Sequence, residues 1–440
     1  MIEKARSQVY KEESDERFIP IRLNDIVTNL MVDLDLSSED QLLFKRFCKI
    51  FVALYHAKFF AALQNLKENY LPFSPDRTTL PLRRYSNAEL MKRRANLIED
   101  IQTIINKANY SLITQDELNR ALAEISPYGL DVSVDFDDFD EILIYYRGMS
   151  NQIEHKRSWR TFFLRTEAVE IPIYRRLFMV LKLKSSCSQS SKTSFFVDPK
   201  AYLTEKWHHL FQYKMAQGGD SSFIYLKLFK DIPKSDLEML FPNTRVEMQR
   251  FDKVTMGVSG SGGIIGGVMA AVSKIARAAH PATIMLAFAG FIGIIWREAS
   301  KVLSSRNRYF ATLASSLYFH NLDNNLGVLS NLIEMAEEEE CKEALLVYGF
   351  LLAQRQELCS QKQLDQKVEK YLQESYGVQV DFELSDGVRK LRESGLIEES
   401  DDNLIKACPL VSALARLDRE WDDLFSFGDT SAEASLSMPV

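Results

Sequence analysis

Two neighbouring stretches without a single Asp, Glu, Lys or Arg constrain this chain more than any other feature: Val254–Ser273, twenty residues, and Ala278–Trp296, nineteen, broken only by His280 and Pro281. A helix crossing a hydrocarbon layer of about 30 Å needs about twenty mainly apolar residues, so the two stretches predict a transmembrane helical hairpin turning at Lys274–Arg277. Six glycines in the first stretch lower its helix propensity and its hydrophobicity. Gly262 with Gly266, and Gly263 with Gly267, also form small-xxx-small pairs that let membrane helices approach closely, which allows a homo-oligomer through this span. The alternative is a glycine-rich helix pair buried in a soluble core. Seven basic residues flank the stretches (Arg245, Arg250, Lys253, Arg297, Lys301, Arg306, Arg308) against two in the connection. The positive-inside rule then places both termini in the cytoplasm, at a bacterial inner membrane or a photosynthetic or organellar one.

The remainder of the 440 residues has matter for several cores, with 46% hydrophobic and 26% charged residues. That balance excludes disorder over most of the length. Five scattered cysteines without a CxxC pair read as reduced thiols. The expected class is α+β and multi-domain: a helical N-terminal region (1–130), a central α+β unit (131–253), the two-helix transmembrane hairpin (254–297), a helical connector (298–362), a winged-helix-like domain (363–427) and a disordered tail (428–440). Heptad-like apolar spacing predicts a helix over Glu39–Leu66, stopped by the prolines of YLPFSPD, and others over Asn87–Lys107 and from Thr114. FDEILIYYRG, TFFLRTEAVEIPIY and RRLFMVLKLK read as antiparallel strands, and Phe223–Val254 as strand, short helix, strand.

From Leu364 onward the order helix, short strand (Val378–Phe382), helix, strand-turn-strand, helix is that of a winged helix. Such domains often read DNA, so charge decides. Residues Gln363–Phe427 hold eight Lys/Arg against fifteen Asp/Glu, a local −7 that equals the net charge of the whole chain. Acidic residues at the wing repel phosphates, and no nucleic-acid partner is expected. An unknown protein partner is.

On the helix containing EMAEEEECKEALLVYGFLL, a 100° wheel places Glu340 and Glu343 in the middle of the stripe made by Leu329, Leu332, Ile333, Ala336, Ala344, Val347 and Leu351, with Glu338 and Lys342 pointing away. Buried carboxylates need an answering partner. The candidates are a basic side chain in a structural ion pair, a shared proton, or a divalent cation with further oxygens from Asp323, Asn324 and Asn325; Lys342 is a further binding candidate. Glu340 and Glu343 are the candidate catalytic pair. No histidine has metal-ligand spacing, GVSGSGG lacks the lysine of a phosphate loop, and no nucleophile elbow or kinase set is present, so no metal and no cofactor are expected.

ERFIPI, FDEILIYYRG, YLKLFKDIPKSDLEMLFPNTRV, LYFHNLDNNLGVL and AEEEECKEALLVYGFLL together resemble the domain of unknown function 3754 family, whose animal member is transmembrane protein 143. The resemblance implies a two-span membrane protein and carries over no activity. Three functions stand as expectations: a membrane-anchored, cytoplasm-facing interaction or regulatory module; a membrane-associated enzyme using Glu340 and Glu343; and, last, transport by an oligomer of hairpins.

Overall fold

A computed structural model describes residues 17–33, 36–76, 85–114, 116–118, 120, 130–134, 136–157, 166–184, 223–241, 245–248, 318–354, 357–400, 402 and 404–424. Among the described residues the first three helices are α1 (Leu23–Asp33), α2 (Ser38–Tyr70) and α3 (Asn87–Lys107). Ser37 caps α2, accepting from Asp40 N, and Ser86 with Glu89 forms a reciprocal capping box on α3. Pro72 sits in the 3-10 turn Leu71–Phe73 that ends α2. Thr114 and Glu117 exchange the bonds of a second capping box.

A five-stranded antiparallel sheet follows, in the order β1 (Ser111–Leu112), β3 (Phe139–Arg157), β4 (Thr166–Leu183), β5 (Ile224–Pro233), β7 (Asn321–Asn324). Its β4 shows why both faces are covered. Leu177, Met179 and Leu181 join one apolar cluster with Phe229, Leu237 and Phe241, while Phe178 and Val180 join the helices through the other. The period of two sends alternate side chains to opposite faces. Two short strands, β2 (Leu130–Ser133) and β6 (Arg245–Met248), pair separately.

From β7 the chain turns at Asn325, whose φ is 51°, into α4 (Leu326–Ala353). This helix is the axis of the structure, packed by α1, α2, α3 and the C-terminal elements, with Tyr348 stacked on Phe47 at 4.2 Å. Beyond it come β8 (Cys359–Ser360), α5 (Gln361–Tyr376), α6 (Leu384–Glu393), the hairpin β9 (Ile397–Glu399) and β10 (Leu404–Ala407), and α7 (Leu410–Asp423). Helix, strand, two helices and a two-stranded wing, with sheet order β8-β10-β9, is the winged-helix arrangement with α4 as its first helix. The strand expected over Val378–Phe382 is irregular chain; Cys359–Ser360 pairs with the wing instead.

The expected transmembrane hairpin requires correction. Among the described residues no helix is long and apolar enough to cross a membrane. The three described helices of twenty or more residues, α2 at 33, α3 at 21 and α4 at 28, carry charges along them (Lys45, Arg46, Lys49 and Lys58; Lys92, Arg93, Arg94, Glu99 and Asp100; Glu337 to Glu340, Lys342 and Glu343) and bury their apolar positions in one shared core. The fold is α+β without a demonstrated span, and the placement as an integral membrane protein with cytoplasmic termini is set aside with it. The stretch 254–297, including Gly262, Gly263, Gly266 and Gly267, lies outside the described residues, as do the loop 185–194 and the tail 428–440.

Candidate functional site

Helix α4 is buried nearly all round, so its polar residues become part of the core. Glu339 is fully buried, Glu340 and Glu343 are each 3% exposed, and Lys342 is 2% exposed. The wheel was right about Glu340 and Glu343. It misplaced Lys342, which turns inward.

Glu340 and Glu343 are answered by Lys390, itself 2% exposed on α6. Its Nζ lies 3.1 Å from Glu340 Oε2, 2.5 Å from Glu343 Oε2 and 2.9 Å from Asp386 Oδ2. The three carboxylates offer oxygens within 4.8 Å of one another, the spacing that a cation would take. The ammonium of the chain's own lysine stands among them. Asn109, at φ 55°, adds a bond from Nδ2 to Glu343 Oε1 at 2.9 Å.

One positive charge among three carboxylates leaves the cluster negative. Burial accordingly pushes Glu343 up to about 7, against the pull of Lys390 and the Asn109 bond. Glu340 is raised too, by burial first and by Asp386, with Lys390 opposing. Burial alone would lower Lys390, but Glu343, Glu340 and Asp386 outweigh it and hold the ammonium above its ordinary range. The arrangement is a cationic lysine enclosed by three carboxylates, two of which are shifted toward their protonated form.

The expected partners from the N-terminus of α4 do not reach this cluster. Fifteen helical residues separate Asn325 from Glu340, about 22 Å of rise. Asp323 accepts from Asn324 N and Asn331 Nδ2, both at 2.7 Å, with its carboxylate against Gly327, where a Cβ would lie 2.1 Å from Oδ1. Asn324 Oδ1 accepts from Lys227 at 2.6 Å. Asn325 bonds Asp76, Tyr70 and the Leu226 amide. These side chains lock the β7–α4 junction. They form a joint, with no role at the carboxylate cluster.

A cleft of about 220 Å³ lies on another side of α4, where His56 Nδ1 sits 3.0 Å from Glu337 beside Glu334, Glu338 and Cys341. Burial holds the Cys341 thiol well above its ordinary range, so it is no ready nucleophile.

Residues 139–327 match the family described as protein of unknown function (DUF3754). The match begins on the first residue of β3, takes in β4 to β7 and the Asp323–Asn325 joint, and ends at Gly327, before the buried charges of α4. It supports the resemblance carried by FDEILIYYRG and YLKLFKDIPKSDLEMLFPNTRV and supplies no membrane character. No solved structure matches the chain.

Sequence reasoning missed Lys390, Asn109 and Glu339. Lys390 was readable in part: on the α6 wheel it flanks the apolar positions Leu384, Gly387, Val388 and Leu391, four residues after Asp386.

Proposed function

We propose that the chain is a protein-interaction module whose C-terminal winged-helix arrangement meets a basic protein surface. The observation that carries this reading is how α6 uses its basic residues. In DNA-reading relatives the equivalent helix presents such residues to the groove. Here Arg389 is bound to Asp386 at 2.5 Å and Glu393 at 3.0 Å, Arg392 to Glu399 at 2.9 Å, and Lys390 is inside. Asp418, Asp422 and Asp423 are exposed on α7, whereas the wing acids Glu398 and Glu399 are already paired with Lys406 and Arg392. A duplex is repelled and a cationic partner attracted.

The competing reading, an enzyme using Glu340 and Glu343, needs substrate access that side chains 4% exposed and closed by Lys390 do not offer. The finer likeness to transmembrane protein 143 rests on the quoted segments and supplies no reaction.

Fluorescence anisotropy with a labelled Lys/Arg-rich peptide and a labelled short duplex tests the proposal. The peptide binds, loses affinity severalfold between about 50 and about 200 mM salt, and loses it again in the Asp418→Lys, Asp422→Lys double variant. Tighter binding of the duplex than of the peptide at physiological salt would reject it.

A further inference from the structure

Glu339 and Lys342 make a 2.8 Å ion pair one turn apart in the core, and apolar residues at such places are often no less stabilising. Their other bonds explain their presence. Glu339 Oε2 accepts from the Ile19 amide at 3.1 Å, and Lys342 Nζ donates to the Ile19 carbonyl at 3.0 Å. An acceptor and a donor side by side grip the main chain of one residue, as an adjacent β-strand would.

The flanking contacts continue this pattern. The Ile19 side chain is fully buried. The Phe18 ring lies 4.2 Å from the Arg147 guanidinium of β3. Arg17 meets Glu383, at the head of α6, at 2.5 Å, and its carbonyl accepts from Asn109 Nδ2 at 3.2 Å. Residues 17–23 thus cross the sheet, α4 and α6 as a strap, without regular structure as far as Arg22 and entering α1 at Leu23. Arg147 is 7% exposed; its Nη1 donates to the Ala108 carbonyl at 3.3 Å and lies 3.9 Å from Glu339, while its Nε has no acceptor among the described residues. A buried donor without an acceptor marks an imperfect fit.

We infer that this groove is a peptide-binding site, filled here by residues 17–23, and that it takes in exchange a segment of another protein. The strap itself states the ligand's chemistry: a basic residue for Glu383, an aromatic for Arg147, a β-branched residue for the buried pocket, and a free amide and carbonyl for Glu339 and Lys342. The tethered strap competes at a high effective concentration, so the foreign segment must offer more. An oxygen that reaches Arg147 Nε offers it, a bond to a charged donor corresponding to roughly tenfold or more in affinity. The site is distinct from the acidic face of α7 and stands without it.

Two measurements on the full chain test this. In the wild type, hydrogen exchange shows the Ile19 amide opening locally, at least about tenfold faster than the Val347 amide of α4; equal rates would mean that the strap leaves only on global unfolding, and would overturn the inference. In the Phe18→Ala chain, whose own strap is weakened while the clamp is intact, a labelled, end-capped peptide of residues 17–23 binds saturably. The same peptide N-methylated at the Ile19 position, which removes the hydrogen that Glu339 accepts, binds at least about tenfold more weakly. No binding, or equal binding of the two peptides, overturns it. So does a wild-type dimer that disappears in the Phe18→Ala chain, since the occupant would then be a second copy.

Discussion

Lys390 is the residue on which the buried carboxylates depend. Removing one partner from a buried ionic cluster leaves the others in a medium that solvates them poorly, a loss of about 3–5 kcal/mol. Lys390→Met keeps the stem and removes only the charge, so urea unfolding near neutral pH should show a loss of that order; a change under about 1 kcal/mol would mean that the three acids had taken up protons without difficulty. The wheel could place Glu340 and Glu343 inside because their neighbours at three and four positions are apolar. It could not place Lys342 or Glu339, because a wheel assumes one covered face and α4 is covered on several. Nor could it pair Glu343 with Lys390, a contact 47 residues apart that arises only when α6 folds back onto α4. Charge itself was visible in the sequence, but its destination was set by tertiary packing.

At the scale of elements, the fold-back is possible because α6 approaches α4 at a glycine. A Cβ on Gly387 would lie 2.8 Å from Val347 Cγ2 and 3.2 Å from the Glu343 carbonyl, on the helix turn that carries the carboxylate cluster. The glycine's role is closeness, and Lys390, one turn on, reaches Glu343 because of it. Gly387→Ala would gain helix propensity of about 1 kcal/mol in an open helix. Here the crowding outweighs it, and differential scanning calorimetry should show a net destabilisation of about 1–3 kcal/mol; a stabilised variant would show that the two helices can separate at no cost. Helix ends of this kind were legible where the chain announces them locally, as at Ser86 with Glu89 or at the prolines after Tyr70. Strand ends were not: β3 and β4 run on through Gly148 and Pro172 because each supplies the other's hydrogen bonds, a property of the pair rather than of either segment. The uncharged stretches lie outside the described residues. Length and lack of charge are necessary for a span and not sufficient, and the described long helices place their own apolar residues against one another around α4.

For the whole molecule, the charge cluster ties stability to pH in a direction opposite to the usual one for carboxylates. Glu343 has a folded-state pKa raised from 4.5 to about 7, so between those values the folded chain binds more protons than the unfolded chain. Its contribution is complete below about pH 4.5 and is lost as pH rises through about 7. Glu340, also raised, acts with the same sign. Asp386 is lowered, but its effect is confined to pH values below the ordinary range of an aspartate and does not cancel the slope. The groups facing Glu343 are Lys390 and Asp386 from α6, Asn109 from the end of α3, and Glu339 and Glu340 from its own helix; of these, Lys390 stays charged throughout the window. Urea midpoints measured from about pH 5 to about pH 8 should therefore fall, and in Glu343→Gln, which keeps the shape and cannot ionise, they should fall less. The exposed Arg389–Glu393 pair is screened by salt, whereas the buried cluster is not, so the difference between the two chains should persist when salt is raised to about 0.5 M. Identical slopes in both chains would place the pH dependence elsewhere and show that Lys390 carries all three carboxylates ionised.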